Sequence, residues 1–249
     1  MFNKTILSLM GILLGVLWFS SCSEDDPETG TLEIVVRATY GEQPLVVGQS
    51  YDYYGRGTMK FTRSEFFMSH LRLIGDSTAP ELKDIDYLRI HEHHTTVARA
   101  QEGMTIRFGD IAPGDYGGIS FLIGLDETQN NTNPANYPAT HPMGEGARYW
   151  AGGDTYMFSK VEGVYKEGGQ SVNYFYHSGF DDAMRPYRYE SPLRIEQGKT
   201  TRLFLSIDHA HLFAEGNSGI DILSNPYVHV VHSVMQGMMD RYVEAMHFE

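Results

Sequence analysis

The sequence is poor in cysteine, in positive charge and in long apolar runs. Its 249 residues include a single cysteine, Cys22, so a disulfide within the chain is excluded. Lys and Arg number 19 against 32 Asp and Glu, and the formal net charge of −13 argues against nucleic acid and anionic lipid surfaces as partners. The one long apolar run ends at Phe19 and is too short and too poorly flanked for a stable membrane span.

Residues 1–21 are typical of a lipoprotein signal peptide. Lys4 precedes the uncharged apolar run, and Ser20 and Ser21 lead directly to Cys22, the pattern that lipoprotein signal peptidase reads. We expect cleavage before Cys22 and acylation of that residue, which would hold the chain to a membrane. The acidic segment 22–30 is expected to be a hydrated tether, and it resembles the surface-export signal of Bacteroidetes-type lipoproteins. We therefore predict an outer-membrane lipoprotein on the periplasmic or cell-surface face.

Residues 31–249 predict one all-β domain, a single β-sandwich of immunoglobulin-like or cupredoxin-like type. Apolar and polar residues alternate in "TLEIVVRAT", and many short strands follow between glycine-containing turns. The segments "YMFSKVEGVYKEG" and "SVNYFYHSGF" predict a hairpin, and "SPLRIEQGKTTRLFLSIDHAHLF" predicts a second one turned at Gly198. A doubly wound α/β fold is disfavoured, because helical segments do not alternate with the strands.

Two further segments complete this prediction. In the ending "HVVHSVMQGMMDRYVEAMHF", Met235, Met239, Tyr242 and Met246 recur at three- and four-residue steps, which predicts a C-terminal helix packed on the sheets. Residues 127–148 are rich in Asn, Pro and Gly and predict a long ordered loop, and loops of that length usually have a function.

The common catalytic motifs are missing. The sequence contains no G-x-S-x-G elbow, no complete phosphate-binding loop and no H-E-x-x-H. Asp181 and Asp182 are adjacent, so on a strand they would point to opposite faces and would not converge on one substrate atom. We therefore expect a protein that is not an enzyme.

Histidine is the residue type that suggests chemistry, since neutral imidazole is the commonest metal ligand and suits copper and zinc. His209 and His211 are two apart in "SIDHAHLF" and would share one face of a strand, where ordinary surface pairing is the alternative. His177 ends an aromatic strand, and a lone polar side chain there needs a partner.

Other histidines have simpler interpretations. The segment "HEHH" at 91–94 places His91 and His93 on one face of a strand, but a solvated loop is the favoured interpretation. His70 occupies a strand position and is expected to pack rather than to bind a metal. His229 and His232 are expected to begin the terminal helix and to interact with its backbone.

The order of several segments resembles the MbnP-like family of copper-binding proteins. These segments are, in order, "PLVVGQSYDYYGRGTMKFTRSEFFMSHLRLIG", "PGDYGGISFLIGLD", "HPMGEGARYWAGGDTYMFSKVEG", "FYHSG" and "LSIDHAHLF". Members are periplasmic or surface β-sandwich proteins related to the copper proteins of methanobactin operons. The resemblance implies copper binding through histidines, in some members assisted by a tryptophan that a dihaem partner enzyme oxidises to kynurenine.

For this chain the resemblance implies Trp150 as the candidate modified residue and His141 as a neighbouring ligand. The position two residues on, where members commonly have a second tryptophan, is Gly152, and a core-filling role for Trp150 is the alternative. The expected ligand set is His141, His177, His209 and His211. Protons compete for imidazole nitrogen, so binding is expected to fade below about pH 6.

The sequence thus predicts an envelope-anchored lipoprotein that binds copper for storage, uptake or delivery. A dihaem peroxidase-like protein or a TonB-dependent receptor is the expected partner, and nucleic acid is not. The alternative is an adhesion or glycan-binding module in which Tyr137 and Tyr149 serve as sugar platforms beside the 127–148 loop.

Overall fold

The computed structural model describes residues 29–76, 79–213, 220–229 and 231–249. The predicted signal peptide, Cys22 and nearly all of the 22–30 tether lie outside the described residues. No helix in the described part of the chain is both long enough and apolar enough to cross a membrane.

Strands dominate these residues, as the alternation of apolar and polar side chains predicts. In chain order the strands are β1 (Gly30–Tyr40), β2 (Gln43–Pro44), β3 (Ser50–Tyr53), β4 (Gly57–Ile74), β5 (Glu81–Arg89), β6 (Met104–Ile111), β7 (Gly114–Tyr116), β8 (Gly118–Ile123), β9 (Tyr149–Trp150), β10 (Thr155–Glu167), β11 (Gln170–Gly179), β12 (Arg185–Tyr189), β13 (Leu193–Ile195), β14 (Thr200–Asp208), β15 (Tyr227–Val228) and β16 (Met246–Phe248). The helices are α1 (Ile90–His93), α2 (Val97–Glu102), α3 (Glu127–Asn130), α4 (His209–Leu212) and α5 (His232–Ala245).

Two sheets pack as a sandwich, which confirms the all-β prediction. The larger sheet has the order β12-β8-β4-β10-β11-β15, with β3 and β5 also on β4 and β9 on β10. The smaller has the order β16-β14-β1-β2, with β6 also on β1, and β7 and β13 form a separate ladder. Alternate residues of β1, Leu32, Ile34 and Val36, are fully buried or nearly so, because a strand directs every second side chain to one face.

The predicted terminal helix is confirmed as α5, with one correction at its end. Met235, Met239 and Tyr242 are buried on the face that contacts the sheets, and the Tyr242 ring lies 5.6 Å from that of Phe66. Met246 was predicted on the same helix face but begins β16, which pairs with β14. The apolar spacing continued past the helix end because alternate residues of a short strand are also buried.

The first predicted hairpin is confirmed and the second is wrong. Strands β10 and β11 are antiparallel neighbours, with Glu167 opposite Gln170 at the turn. The turn at Gly198 instead connects strands with different partners, since β13 pairs with β7 and β14 runs parallel to β1. A parallel neighbour distant in the chain leaves no local signal in the pattern that predicts hairpins.

The 127–148 loop is held in place by its own turns and by buried hydrogen bonds. A capping box joins Asp126 and Gln129 at the start of α3, and 3₁₀ turns follow at Pro134–Asn136 and Gly146–Arg148. Buried Asn130 accepts from the Tyr156 backbone (2.9 Å) and donates to Asp181 (2.8 Å). The loop is thereby tied to the start of β10.

Candidate metal centre

A cavity of about 340 Å³ lies where β10, β11 and the segment after β15 meet. Two imidazoles, a thioether and an indole contribute to a wall that is otherwise largely apolar. Its lining residues are Trp150, Thr155, Met157, His177, Ser178, Gly179, Phe180 and His229. The sequence prediction had placed two of these, His177 and Trp150, among the candidate site residues.

His177 is held at one ring nitrogen by a carboxylate. Its Nε2 lies 2.8 Å from a Glu162 oxygen, and Glu162 also accepts from Arg63 at 3.1 Å. Burial alone would raise the pKa of Glu162, but the hydrogen bond from His177 and the charge of Arg63 outweigh it and lower that pKa below its ordinary value. Ionised Glu162 can only accept, so Nε2 carries the proton.

This tautomer leaves Nδ1 of His177 with a free lone pair. Nδ1 is buried and has no hydrogen-bond partner among the described residues. An unpaired buried acceptor costs stability, and native structures nearly always satisfy such atoms. A carboxylate bound to the far nitrogen is the arrangement that orients metal-binding histidines and raises their basicity. His177 is therefore oriented so that Nδ1 can coordinate a cation.

A second imidazole reaches the same place from a distant part of the chain. The ring centroids of His177 and His229 are 4.5 Å apart, with the planes nearly perpendicular at 84°. Strand β15 runs parallel to β11 with Tyr176 opposite Val228, so His177 and His229 follow as the next pair. Although His229 is exposed overall, desolvation of its ring and the neighbouring His177 lower its pKa, so it is neutral at neutral pH.

Trp150 forms another wall of the cavity and folds over a glycine turn. Its ring packs edge-on against Phe180, with the centroids 5.8 Å apart. A Cβ at Gly153 would lie 2.4 Å from the indole, and one at Gly152 would lie 2.9 Å from indole Nε1. The indole thus occupies the space that a side chain at 152 or 153 would need, so this position of Trp150 depends on both glycines.

Among the lining residues with potential ligand atoms for copper, sequence reasoning missed two, Met157 and His229. Met157 follows the alternation of β10 and carries no motif, although a thioether is a soft ligand suited to Cu(I). His229 was assigned to the helix start, but it directly follows β15, and α5 begins at His232. Only the β11–β15 register places His229 beside His177, and no local pattern reveals a parallel pair.

The prediction that His209 and His211 share one face of a strand is wrong. Both lie in the short helix α4, where residues two apart point to different sides. His209 is fully buried, with Nε2 2.7 Å from the Ser64 hydroxyl and Nδ1 3.2 Å from the Ile207 carbonyl, and burial lowers its pKa to about 4. His211 is exposed and lies 3.2 Å from a Glu244 oxygen. Neither residue lines the cavity.

His141 also lies outside the lining of the cavity. Its ring stacks on Tyr137 with centroids 4.5 Å apart, and its Nδ1 accepts from the Met143 backbone at 3.1 Å. The structure therefore brings together His177 and Trp150 of the predicted set, and leaves His141, His209 and His211 in other surroundings.

The remaining predicted alternatives are also resolved. In the "HEHH" segment, residues 91–93 lie in α1 and not in a strand or a solvated loop, and the C-cap residue His94 is buried with Nδ1 2.8 Å from the Leu45 carbonyl. His232 pairs with Asp182 at 2.8 Å and not with the helix backbone. None of these lines the cavity.

Comparison with known proteins was made on sequence and on fold. A family model described as MbnP matches residues 29–234. Among solved structures the chain is similar to MbnP from Methylosinus trichosporium, with a TM-score of 0.51 and 10% identity, over 88% of this chain and 98% of that one. At that identity the likeness concerns the fold. A search among curated proteins found no match.

Proposed function

Because the chain belongs to the MbnP family, we propose that it binds copper in the cavity, with His177 and His229 as the imidazole ligands. One observation carries the proposal: the buried Nδ1 of His177 has no partner among the described residues, and the ring of His177 lies 4.5 Å, centroid to centroid, from the ring of His229. The donor set fits copper, since imidazole suits both oxidation states and the Met157 thioether suits Cu(I). His141, His209 and His211 are not part of this proposed site.

The chain's own residues prepare the site in three ways. Glu162 accepts from Nε2 of His177, so Nδ1 is the ring nitrogen left to bind a cation. The lowered pKa of His229 keeps its ring neutral. The aromatic side chains of Trp150 and Phe180 add apolar wall to the cavity, and an apolar surrounding lowers the local dielectric and so strengthens metal–ligand interactions.

Trp150 is the residue that we propose for oxidation to kynurenine by a dihaem partner. Its position in the wall that also contains His177 and His229 supports this assignment. The mass of the peptide that contains Trp150, from protein isolated from its native host, checks the proposal. An unmodified mass in protein that nevertheless binds copper tightly would remove Trp150 oxidation from the account.

We further propose that the protein acts at the cell envelope without catalysing a reaction. Acylation at Cys22 would place the copper site on an outer-membrane lipoprotein, from which copper is stored, taken up or handed to a partner. The partner is proposed to be a dihaem peroxidase-like protein or a TonB-dependent receptor. No observation favours the glycan-binding alternative, since Tyr137 stacks on His141, and Tyr149 packs on Tyr156 and binds Asp154.

A competition titration with a Cu(I) chelator tests the copper proposal. We expect one high-affinity copper per chain, and affinity reduced by more than 100-fold in His177→Ala and in His229→Ala. His211→Ala is the matched control, because this exposed imidazole pairs with the exposed Glu244 at the surface and does not line the cavity. Thermal unfolding confirms that each variant is folded. Unchanged affinity in both cavity variants would refute the proposal.

A further inference from the structure

A second group of candidate ligands surrounds His70 and shares no residue with the copper cavity. One nitrogen of His70 and one oxygen each of Glu81 and Asp84 lie within 4.8 Å of one another. Nδ1 of His70 is 3.8 Å from Glu81 and 3.9 Å from Asp84. These separations are slightly longer than those between ligands of one cation and need small side-chain movements to close around it.

A bulge in β4 brings these three side chains together. The register of β4 shifts against β8 between Ser69 and Arg72, and against β5 between Leu71 and Arg72. His70 has a φ of 51°, in the left-handed region that non-glycine residues rarely adopt. Bulges re-aim side chains in this way. His70 lies in a strand, as expected, and its half-buried ring is turned toward carboxylates at the sheet surface.

The ring of His70 is oriented by a fourth side chain, Asp126. Nε2 of His70 lies 2.8 Å from an Asp126 oxygen. Burial would raise the pKa of Asp126, but the backbone N–H of Gln129 and the contact with His70 outweigh it and hold that pKa below its ordinary value. The carboxylate accepts from Nε2 and holds the ring with Nδ1 on the side of Glu81 and Asp84. Two carboxylates beside one imidazole nitrogen attract a cation.

Both carboxylates are themselves oriented by outer contacts. The Arg72 guanidinium donates to Glu81 at 2.7 Å, and the Gln129 amide donates to Asp84 at 3.0 Å. Metal ligands in proteins are typically supported by such a second layer of hydrogen bonds, which fixes their direction before the ion arrives. The cluster therefore differs from a chance group of surface acids, because its imidazole and both carboxylates each have an orienting partner.

We propose that His70, Glu81 and Asp84 form a second metal site, one that takes a divalent ion of borderline character such as Zn²⁺. One nitrogen and two carboxylate oxygens suit Zn²⁺ and are too hard for Cu(I), so this site and the cavity select different ions. The side chain of Asp84 is 64% exposed, which leaves room for water to complete the coordination. The net charge of Glu81, Asp84, Asp126 and Arg72 is negative and favours a divalent cation.

Calorimetric titration of Zn²⁺ into the purified chain at pH 7.5 tests this site. We expect a zinc-binding step that is weakened more than tenfold in Asp84→Asn. Asp115→Asn is the matched control, since Asp115 is an exposed carboxylate that pairs with Arg194 elsewhere on the surface. Both residues are exposed, so neither variant is expected to unfold.

The same titration in His177→Ala separates the two sites. The zinc step is expected to persist there, whether or not copper binding is lost. Two results would overturn the proposal: no zinc step in the unaltered chain, which would mean that a proton alone fills the space between Nδ1 and the carboxylates, or equal zinc affinity in Asp84→Asn and Asp115→Asn.

Discussion

His177 and His209 are both sheltered imidazoles, and their difference separates a candidate ligand from a core residue. His177 contacts Glu162 through Nε2 and leaves Nδ1 without a partner among the described residues. His209 contacts Ser64 through Nε2 and the Ile207 carbonyl through Nδ1, so both of its nitrogens are satisfied. A histidine is available to a metal when one nitrogen is oriented by the protein and the other is left open, and burial alone does not distinguish these cases.

The local structure produces this difference. Antiparallel pairing places Lys160 opposite His177 and Glu162 opposite Phe175, so Glu162 is the diagonal neighbour that an imidazole can reach across the ladder. His209 starts the helix α4, which Asp208 caps by accepting from the Ala210 backbone at 3.0 Å, and the helix turns the ring inward against Phe61. One imidazole therefore faces a cavity and the other fills the core.

Removing His209 should produce the largest effect on stability and none on copper. His209→Ala leaves a cavity beside Phe61 and removes one partner of the buried Ser64 hydroxyl, for which we expect a loss of about 2–4 kcal/mol in the free energy of unfolding. Urea denaturation measures that loss, and copper affinity in the folded variant should change less than about threefold, within the scatter of long-range effects. A His209→Ala variant with unchanged stability and no copper binding would contradict the assignment of His209 as a core residue and of His177 as the ligand.

Lowering the pH should reduce the free energy of unfolding through the same core histidine, His209. Burial lowers the pKa of His209 to about 4, while in the unfolded chain it is near its ordinary value of about 6.5. The unfolded state therefore binds more protons between these values, so stability is lost as the pH falls from about 6.5 to about 4, by about 3 kcal/mol in all. Unfolding free energies measured across this range should show that slope in the unaltered chain and a reduced slope in His209→Gln. Equal slopes in the two proteins would contradict the buried neutral state of His209.

Substitution of Glu162, the carboxylate that contacts Nε2 of His177, tests whether that contact prepares His177 to bind copper. Glu162→Gln keeps the shape of the side chain but removes the charge that fixes the tautomer and basicity of His177, and we expect copper affinity to fall about 10- to 100-fold. Glu167→Gln is the matched control, since Glu167 lies on the same strand and binds Tyr165 and Arg56 away from the cavity. Chelator competition provides the measurement. Equal copper affinities in these two variants would mean that Glu162 does not orient a ligand.

The smallest effect is expected at His141, whose Nδ1 already accepts a hydrogen bond and whose ring stacks on Tyr137. His141→Ala should change copper affinity less than about threefold and stability by about 0.5–1.5 kcal/mol, the value of an aromatic contact. The same titration and denaturation experiments measure both quantities. A loss of copper affinity comparable with that in His177→Ala would place His141 in the site and would weaken the distinction between histidines with an open nitrogen and those without one.

The sequence predicted those features that depend on local pattern. The alternation of β1, the β10–β11 hairpin and the buried methionines of α5 follow from spacing alone, and His177 stood out as a polar residue ending an aromatic strand. Features that depend on pairing between strands far apart in the chain were not predicted. The parallel pairs β1–β14 and β11–β15 join segments far apart in the chain, and the second of them brings His229 to His177.

The candidate ligands His209 and His211 were misplaced for a related reason. A spacing of two places side chains on the same face only in a strand. Strand β14 ends at Asp208, and the Asp208 side chain caps the helix α4, which contains both histidines. Asp is a preferred residue at a helix N-cap, so this boundary carried a local signal that the histidine pattern outweighed. The bulge that turns His70 toward Glu81 and Asp84 left no comparable signal, because β-bulges at non-glycine residues follow from tertiary pairing.

Anomalous diffraction from crystals of the copper-loaded protein, recorded at the copper absorption edge, tests the central claim most directly. The account predicts one strong peak about 2 Å from Nδ1 of His177 and within bonding distance of the His229 ring, with Met157 and Trp150 around it. A peak located instead at His209, His211 or His141, or the absence of any peak in the cavity of a crystal that contains copper, would contradict it.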